Sequence, residues 1–203
     1  MKKVLFSIVA LLMVLGLMVP VASAAPTLSF EIDFGQDGVF ETGGVYDLLP
    51  GSSVGVDLYF SVTEEGVVGA GFALSFYAPL LEASNFSWAS PFLDTGQSEI
   101  IPGSILAEGF AWPPGTVVGP GENILLTSFT LTCLGPGMVE LFLGDFNPDT
   151  AQWVTSPSGI VLDDQLGFVI AEINQVPVPE PATLLLLGTG LVGLVGLTRK
   201  FRP

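Results

Sequence analysis

Between Lys3 and Arg199 the chain contains no lysine, no arginine and no histidine. All five cationic side chains lie at the two ends: Lys2, Lys3, Arg199, Lys200 and Arg202. The same interval carries every acidic residue of the chain, from Glu31 to Glu180, and the formal net charge is −15. A surface without cations cannot neutralise phosphates, which excludes nucleic-acid binding. It cannot dock electrostatically on anionic lipid. Without histidine the usual general base of a serine or cysteine hydrolase is missing. The chain has one cysteine, Cys133, so it forms no internal disulfide. In "LLTSFTLTC" Cys133 shares an alternating face with Phe129 and Leu131, which reads as a small buried core thiol. What remains favoured is a soluble, self-repelling surface that attracts cations, divalent ones included.

Long apolar runs occur only at the ends. Lys2 and Lys3 precede the run Val4 to Val19, and Ala22-Ser23-Ala24 supplies the small-x-small pattern cut by signal peptidase. Residues 1–24 therefore read as a secretory signal peptide, with Ala22 and Ala24 setting the cleavage site. Residues 25–175 have the length of one ordinary domain.

That domain reads as all-β. "TLSFEID", "VGVDLYFSV", "GAGFALSFY", "SILAEGFAW", "ILLTSFTLTC", "MVELFLGDF" and "LGFVIAEI" alternate in polarity and are rich in aromatic and β-branched residues. Glycine and proline punctuate them in "LLPGSS", "WPPG", "GPGEN" and "LGPGM". Only "APLLEASNF" offers a turn of helix. Seven to nine short strands with one apolar face each predict an antiparallel β-sandwich, with a closed barrel as the alternative.

Residues 176–203 form a third unit. "QVPVPEP" is an extended spacer, because alternating prolines fix φ and lack N–H donors. Ala182 to Thr198 would make a helix of about 25 Å, a short but workable span when Arg199, Lys200 and Arg202 reach the headgroups. Cations after the run place the C-terminus in the cytoplasm and the domain outside. Gly188, Gly190, Gly193 and Gly196 give the run a face that another helix can approach closely.

Pro179-Glu180-Pro181, the short Leu/Gly-rich run and Arg199-Lys200-Phe201-Arg202 together resemble the PEP-CTERM sorting signal of Gram-negative bacteria. The resemblance implies that Pro179, Glu180 and Pro181 are recognised by exosortase, an integral-membrane processing enzyme. It also implies a transient stay in the inner membrane, then delivery to the cell surface or the exopolysaccharide matrix. A second resemblance covers the middle. "PGSSVGVDLYFSV", "VVGAGFALSFYAPLLEAS" and "GENILLTSFTLTCLGPGMVELFLGD" are similar in order and spacing to cohesin-like domains, which are jelly-roll sandwiches of bacterial surfaces. The chain departs from that family at Tyr77-Ala78-Pro79, where Tyr-Asp-Pro is frequent.

Candidate chemistry in the domain is sparse. Asp33, Asp37 and Glu41 in "IDFGQDGVFE" match part of a Ca²⁺ loop, with Gly35 and Gly44 where two ligands belong. An acidic β-turn fits the same residues. Ca²⁺ is thus the one candidate cofactor. Asp145, Asn147 and Asp149 read as a turn around Pro148, and Asp163-Asp164 as a solvated corner. Trp88, Trp112 and Trp153 fit either core packing or a sugar-stacking platform, with Trp112, before Pro113-Pro114, the most exposed. No acidic pair stands out for glycoside hydrolysis. The sequence thus predicts a non-enzymatic exported surface or matrix protein serving adhesion or matrix organisation. The alternative is a carbohydrate-binding module for exopolysaccharide, and its partners would be exopolysaccharide or another surface protein.

Overall fold

A computed structural model describes residues 24–176 and residue 189. The expected signal peptide, the C-terminal helix over 182–198, the Pro-Glu-Pro box and the basic cluster lie outside the described residues. Among those residues no helix is long and apolar enough to cross a membrane.

Thirteen strands follow in order: β1 (Leu28–Phe34), β2 (Val45–Asp47), β3 (Ser53–Val62), β4 (Gly66–Val67), β5 (Gly69–Ser75), β6 (Leu81–Trp88), β7 (Phe92–Asp94), β8 (Glu99–Ile101), β9 (Ser104–Ala111), β10 (Gly121–Cys133), β11 (Gly137–Gly144), β12 (Thr155–Ser156) and β13 (Phe168–Gln175). Two sheets face each other. One is ordered β1-β3-β10-β6, the other β2-β13-β11-β5-β9-β7 with β8 also on β9, and β4 and β12 form a small ribbon. The architecture is the expected sandwich, and both sheets are open, so it is not a barrel. One pair departs from the antiparallel expectation: β2 runs parallel to β13, with Glu172 opposite Val45 and Asn174 opposite Asp47. The chain leaves β1 on one sheet and crosses the open edge through residues 35–44, with the Gly43 amide donating to the Ile170 carbonyl at 2.6 Å. It therefore reaches the second sheet already running in the direction of β13.

Alternation positions the core. Val54, Val56, Leu58, Phe60 and Val62 of β3 face inward against Ala70, Phe72 and Leu74 of β5 and Val139, Leu141 and Leu143 of β11. At the centre Trp153, fully buried, meets Phe30 and Phe60 edge-on at 5.3 and 5.1 Å. Its indole Nε1–H donates to the Gly71 carbonyl at 2.7 Å, tying the 145–167 segment to β5. Cys133 is buried, as read.

"APLLEASNF" holds no helix; it gives a turn and then β6. A β-bulge concealed this strand. Across Ser128 and Thr130 of β10 stand Ser87 and Ser84, so Asn85 and Phe86 together oppose Phe129. Asn85 takes a left-handed φ of +55°, which asparagine tolerates. The bulge re-phases the strand, so that Leu81 and Ala83 are followed inward by Phe86 and Trp88 rather than by residue 85.

The two ends of the sandwich differ. At the end where β13 leaves, the turns 48–52, 76–80, 102–103 and 134–137 meet. The Gly51 amide reaches the Cys133 carbonyl at 2.9 Å, Leu134 reaches Leu80 at 2.9 Å and Phe76 reaches Gly103 at 2.8 Å. None of these turns contains a charged residue. The far end carries Glu64 and Glu65 in one turn and Asp145, Asp149, Asp163 and Asp164 in the 145–167 segment.

Trp153→Ala removes the central ring and leaves the Gly71 carbonyl unpaired, a loss of about 3–5 kcal/mol. Thermal unfolding should show the midpoint lowered by about 10 °C or more.

Candidate functional site

The residues matched to a Ca²⁺ loop lie where β1 turns into the crossing segment. Asp33 points outward from β1, directly opposite Asp57 of β3, and is fully buried beneath residues 35–38. Its carboxylate accepts the amides of Asp37 at 3.2 Å and Gly38 at 2.8 Å. Glu41 Oε2 accepts the Phe34 amide at 3.0 Å, and Asp37 Oδ1 accepts the Val39 amide at 2.9 Å. Asp57 accepts Gln36 Nε2 at 2.7 Å and Ser128 Oγ at 2.6 Å. The three carboxylates brace a turn whose Gly35 and Gly38 sit at φ +89° and +84°. Among the described residues no group of three or more His, Cys, Asp or Glu is arranged to hold a metal ion. The geometry is that of the acidic-turn reading.

The second acidic region gathers Asp145, Asp149, Asp163 and Asp164 around a shallow concavity of about 400 Å³. Asp145 and Asn147 cap the amides two residues on, at 3.1 Å each. Asp163 is more than a solvated corner. Its two oxygens accept the amides of Gln152 at 3.0 Å and Trp153 at 2.7 Å, fixing the buried tryptophan. Burial raises its pKa above the ordinary carboxylate value, the two amides oppose that rise, and the charges of Asp145 and Asp164 add to it.

The three tryptophans separate cleanly. Trp153 is core. Trp88 is half-buried and packs edge-on to Phe72 and Phe86 at 6.1 and 5.6 Å. Trp112 is 50% exposed and stands edge-on to Phe110 at 6.0 Å.

Periodicity of the core concealed one further feature, the outer face of the larger sheet. On β11, Val139, Leu141 and Leu143 point inward, yet the outward positions include Met138 and Phe142, 59% and 42% exposed. Val169 of β13, Val45 of β2 and Tyr77 after β5 are exposed as well. A shallow concavity of about 650 Å³ runs past Ser75, Tyr77, Met138, Phe142 and Glu172. The signal was present in "MVELFLG", which is apolar at positions of both phases. Glu140, exposed between Met138 and Phe142 and opposite Glu172 of β13, lines the same concavity, so this outer face sets apolar side chains among carboxylates.

Residues 177–200 match the model of the PEP-CTERM protein-sorting motif. The chain carries a PEP-CTERM sorting motif. It takes in Pro179, Glu180 and Pro181 and starts two residues beyond the end of β13. The folded part of this PEP-CTERM chain resembles cohesin modules. The sixth cohesin of scaffoldin B from Acetivibrio cellulolyticus, solved in complex with a Cel5 dockerin mutant, is similar at a TM-score of 0.51 and 13% identity. The match covers 75% of this chain and 100% of that one. The cohesin CaCohA2 from Clostridium acetobutylicum is similar at a TM-score of 0.50 and 12% identity, over 74% of this chain and 91% of that one. At such identities the likeness is one of fold. No curated protein matches the chain.

The raised pKa of Asp163 has a definite sign. The folded state takes up this proton more readily than the unfolded chain, so between the ordinary and the raised value stability grows as pH falls. Asparagine does not titrate. Melting curves should therefore show the deficit of Asp163→Asn relative to the parent widening as pH is lowered from neutrality toward the ordinary carboxylate range.

Proposed function

We propose that the protein is an exported, non-enzymatic surface or matrix protein of a Gram-negative bacterium. Residues 1–24 act as its signal peptide, cut after Ala24. Residues 25–175 are the working β-sandwich, and 176–203 are a sorting unit held transiently in the inner membrane. Exosortase recognises Pro179, Glu180 and Pro181, and Arg199, Lys200 and Arg202 stop transfer of the run 182–198. The observation that carries this reading is the sorting-motif match placed directly after the last strand. Adhesion or matrix organisation is supported by the exposed Met138 and Phe142 set among Glu140 and Glu172, a mixed face that suits contact with another surface protein. A protein partner is supported also by the similar cohesin of scaffoldin B, which was solved in complex with a dockerin. The domain offers no general base of the histidine type, and its buried carboxylates are occupied, Asp33 by backbone amides and Asp57 by the side chains of Gln36 and Ser128.

Fractionation of cells with and without the processing enzyme tests the sorting step. The parent chain should mature to a shorter form found outside the inner membrane only where the enzyme is present, and Glu180→Ala should accumulate as precursor. An identical membrane-retained chain in both strains would refute the assignment.

Trp112 supports a second reading, a carbohydrate-binding module for exopolysaccharide. Its ring is half-exposed in a loop next to Phe110, an arrangement open to stacking on a sugar face. Binding on a glycan array that disappears in Trp112→Ala would favour this reading, and binding that is absent or indifferent to the substitution would remove it.

A further inference from the structure

The end of the sandwich from which the chain leaves is built unlike the rest of the domain. Its turns, 48–52, 76–80, 102–103 and 134–137, hold no carboxylate, in a domain that has carboxylates almost everywhere else. The side chains it exposes are Leu49, Tyr77, Leu134 and Val176, and Tyr77 and Leu134 are 61% and 51% accessible. Acids border these turns without entering them: Asp47 precedes the first, Glu82 lines a concavity with Leu134, and Glu140 and Glu172 line one with Tyr77. Asp47 accepts Asn174 Nδ2 at 2.8 Å, and Glu82 lies on the outer strand of the smaller sheet.

The covalent tether brings this end close to the bilayer. β13 stops at Gln175, and the apolar run begins at Ala182. Seven residues of chain cover at most about 25 Å even when fully extended. With the run held in the bilayer, the uncharged end cannot stand far from the headgroups. The acidic far end lies one strand length away, about 26 Å for the eight residues of β13. That is several times the Debye length of about 8 Å at physiological salt, so its repulsion by an anionic surface is screened.

We propose that this end is a membrane-contact surface. Leu49, Tyr77, Leu134 and Val176 rest in the interfacial layer of the lipid while the C-terminal run is still inserted. The inference rests on the proposed membrane stage of sorting. The contact needs no cation. Apolar burial and the interfacial preference of tyrosine supply the attraction, and the short tether supplies the high local concentration that a weak contact requires. A carboxylate on these turns would be desolvated and repelled at an anionic surface, which accounts for their composition.

The test uses the full chain in vesicles of phosphatidylethanolamine and phosphatidylglycerol, with Cys133→Ser so that a single introduced cysteine carries an environment-sensitive fluorophore. Quenching by a spin-labelled lipid is expected with the probe at Leu49→Cys and Leu134→Cys, and no quenching at Val117→Cys or Ile160→Cys of the far end. Adding Tyr77→Glu to the Leu49→Cys chain should abolish its quenching while the protein still floats with the vesicles. Equal quenching at both ends, or none at either while the chain floats, would overturn the proposal. A chain that does not float at all would instead overturn the membrane stage itself, and the contact surface with it.

Discussion

The constraint on which the fold depends is the absence of any cationic side chain to offset its carboxylates. An ion pair cannot form within the domain, so the counter-charge must come from dipoles. Backbone amides in turns provide it: Asp33 takes two, Glu41 takes one, and Asp163 takes two. Asp94 takes those of Gly96 at 2.9 Å and Ser98 at 3.3 Å. Turns leave several N–H groups without strand partners, so they are the natural seat for unpaired acids. The acids that bind the turns of this domain sit where those turns have amides to offer.

The same constraint makes the Asp33–Asp57 pair tolerable. Like charges directly opposite each other on neighbouring strands repel. Here each carboxylate has its own donors, amides for Asp33 and the side chains of Gln36 and Ser128 for Asp57. The Tyr59 hydroxyl stands beside them. Burial raises its pKa, and the charges of Asp57 and Asp33 raise it further. Ionisation is thus resisted from both causes, and the hydroxyl keeps its proton as pH rises. These residues form a braced polar layer over the outside of the smaller sheet, and the crossing segment to β2 is anchored on it.

The parts of this architecture that could be read from the sequence follow a single physical rule. The seven long strands with clean alternation were readable because one face is buried and the period of a strand is two. β6 was not, because the bulge at Asn85 shifts its inward set from Leu81 and Ala83 to Phe86 and Trp88. β10 hides a similar irregularity, with Leu125 opposite Tyr59 but Thr127 opposite Leu58, so that Leu126 and Thr127 are both buried. Strands of two or three residues, such as β2 and β12, are too short to show a period. The role of Asp163 was also hidden, since its partners Gln152 and Trp153 reach it through the fold of a long irregular segment. The spacing of Asp33, Asp37 and Glu41 brings three carboxylates onto one turn, and each accepts a backbone amide there.

The fold and the sorting motif differ in kind for a related reason. A sandwich constrains only the inward half of each strand, and many sequences satisfy it, so likeness to cohesin modules persists at 13% identity. A sorting motif is defined by side-chain identity rather than by burial, so the short stretch 177–200 is recognisable outright. The fold therefore speaks for the positions it buries and the motif for the positions it exposes to an enzyme. Between them lie the outward residues of the strands and turns, which neither packing nor processing dictates. Those positions are where this domain departs from indifference, with apolar side chains at Met138 and Phe142 on the broad sheet and an uncharged rim at the exit end. On the broad sheet Glu140 stands between Met138 and Phe142 and opposite Glu172, so the apolar side chains there are set among acids, whereas at the exit end the turns themselves carry none.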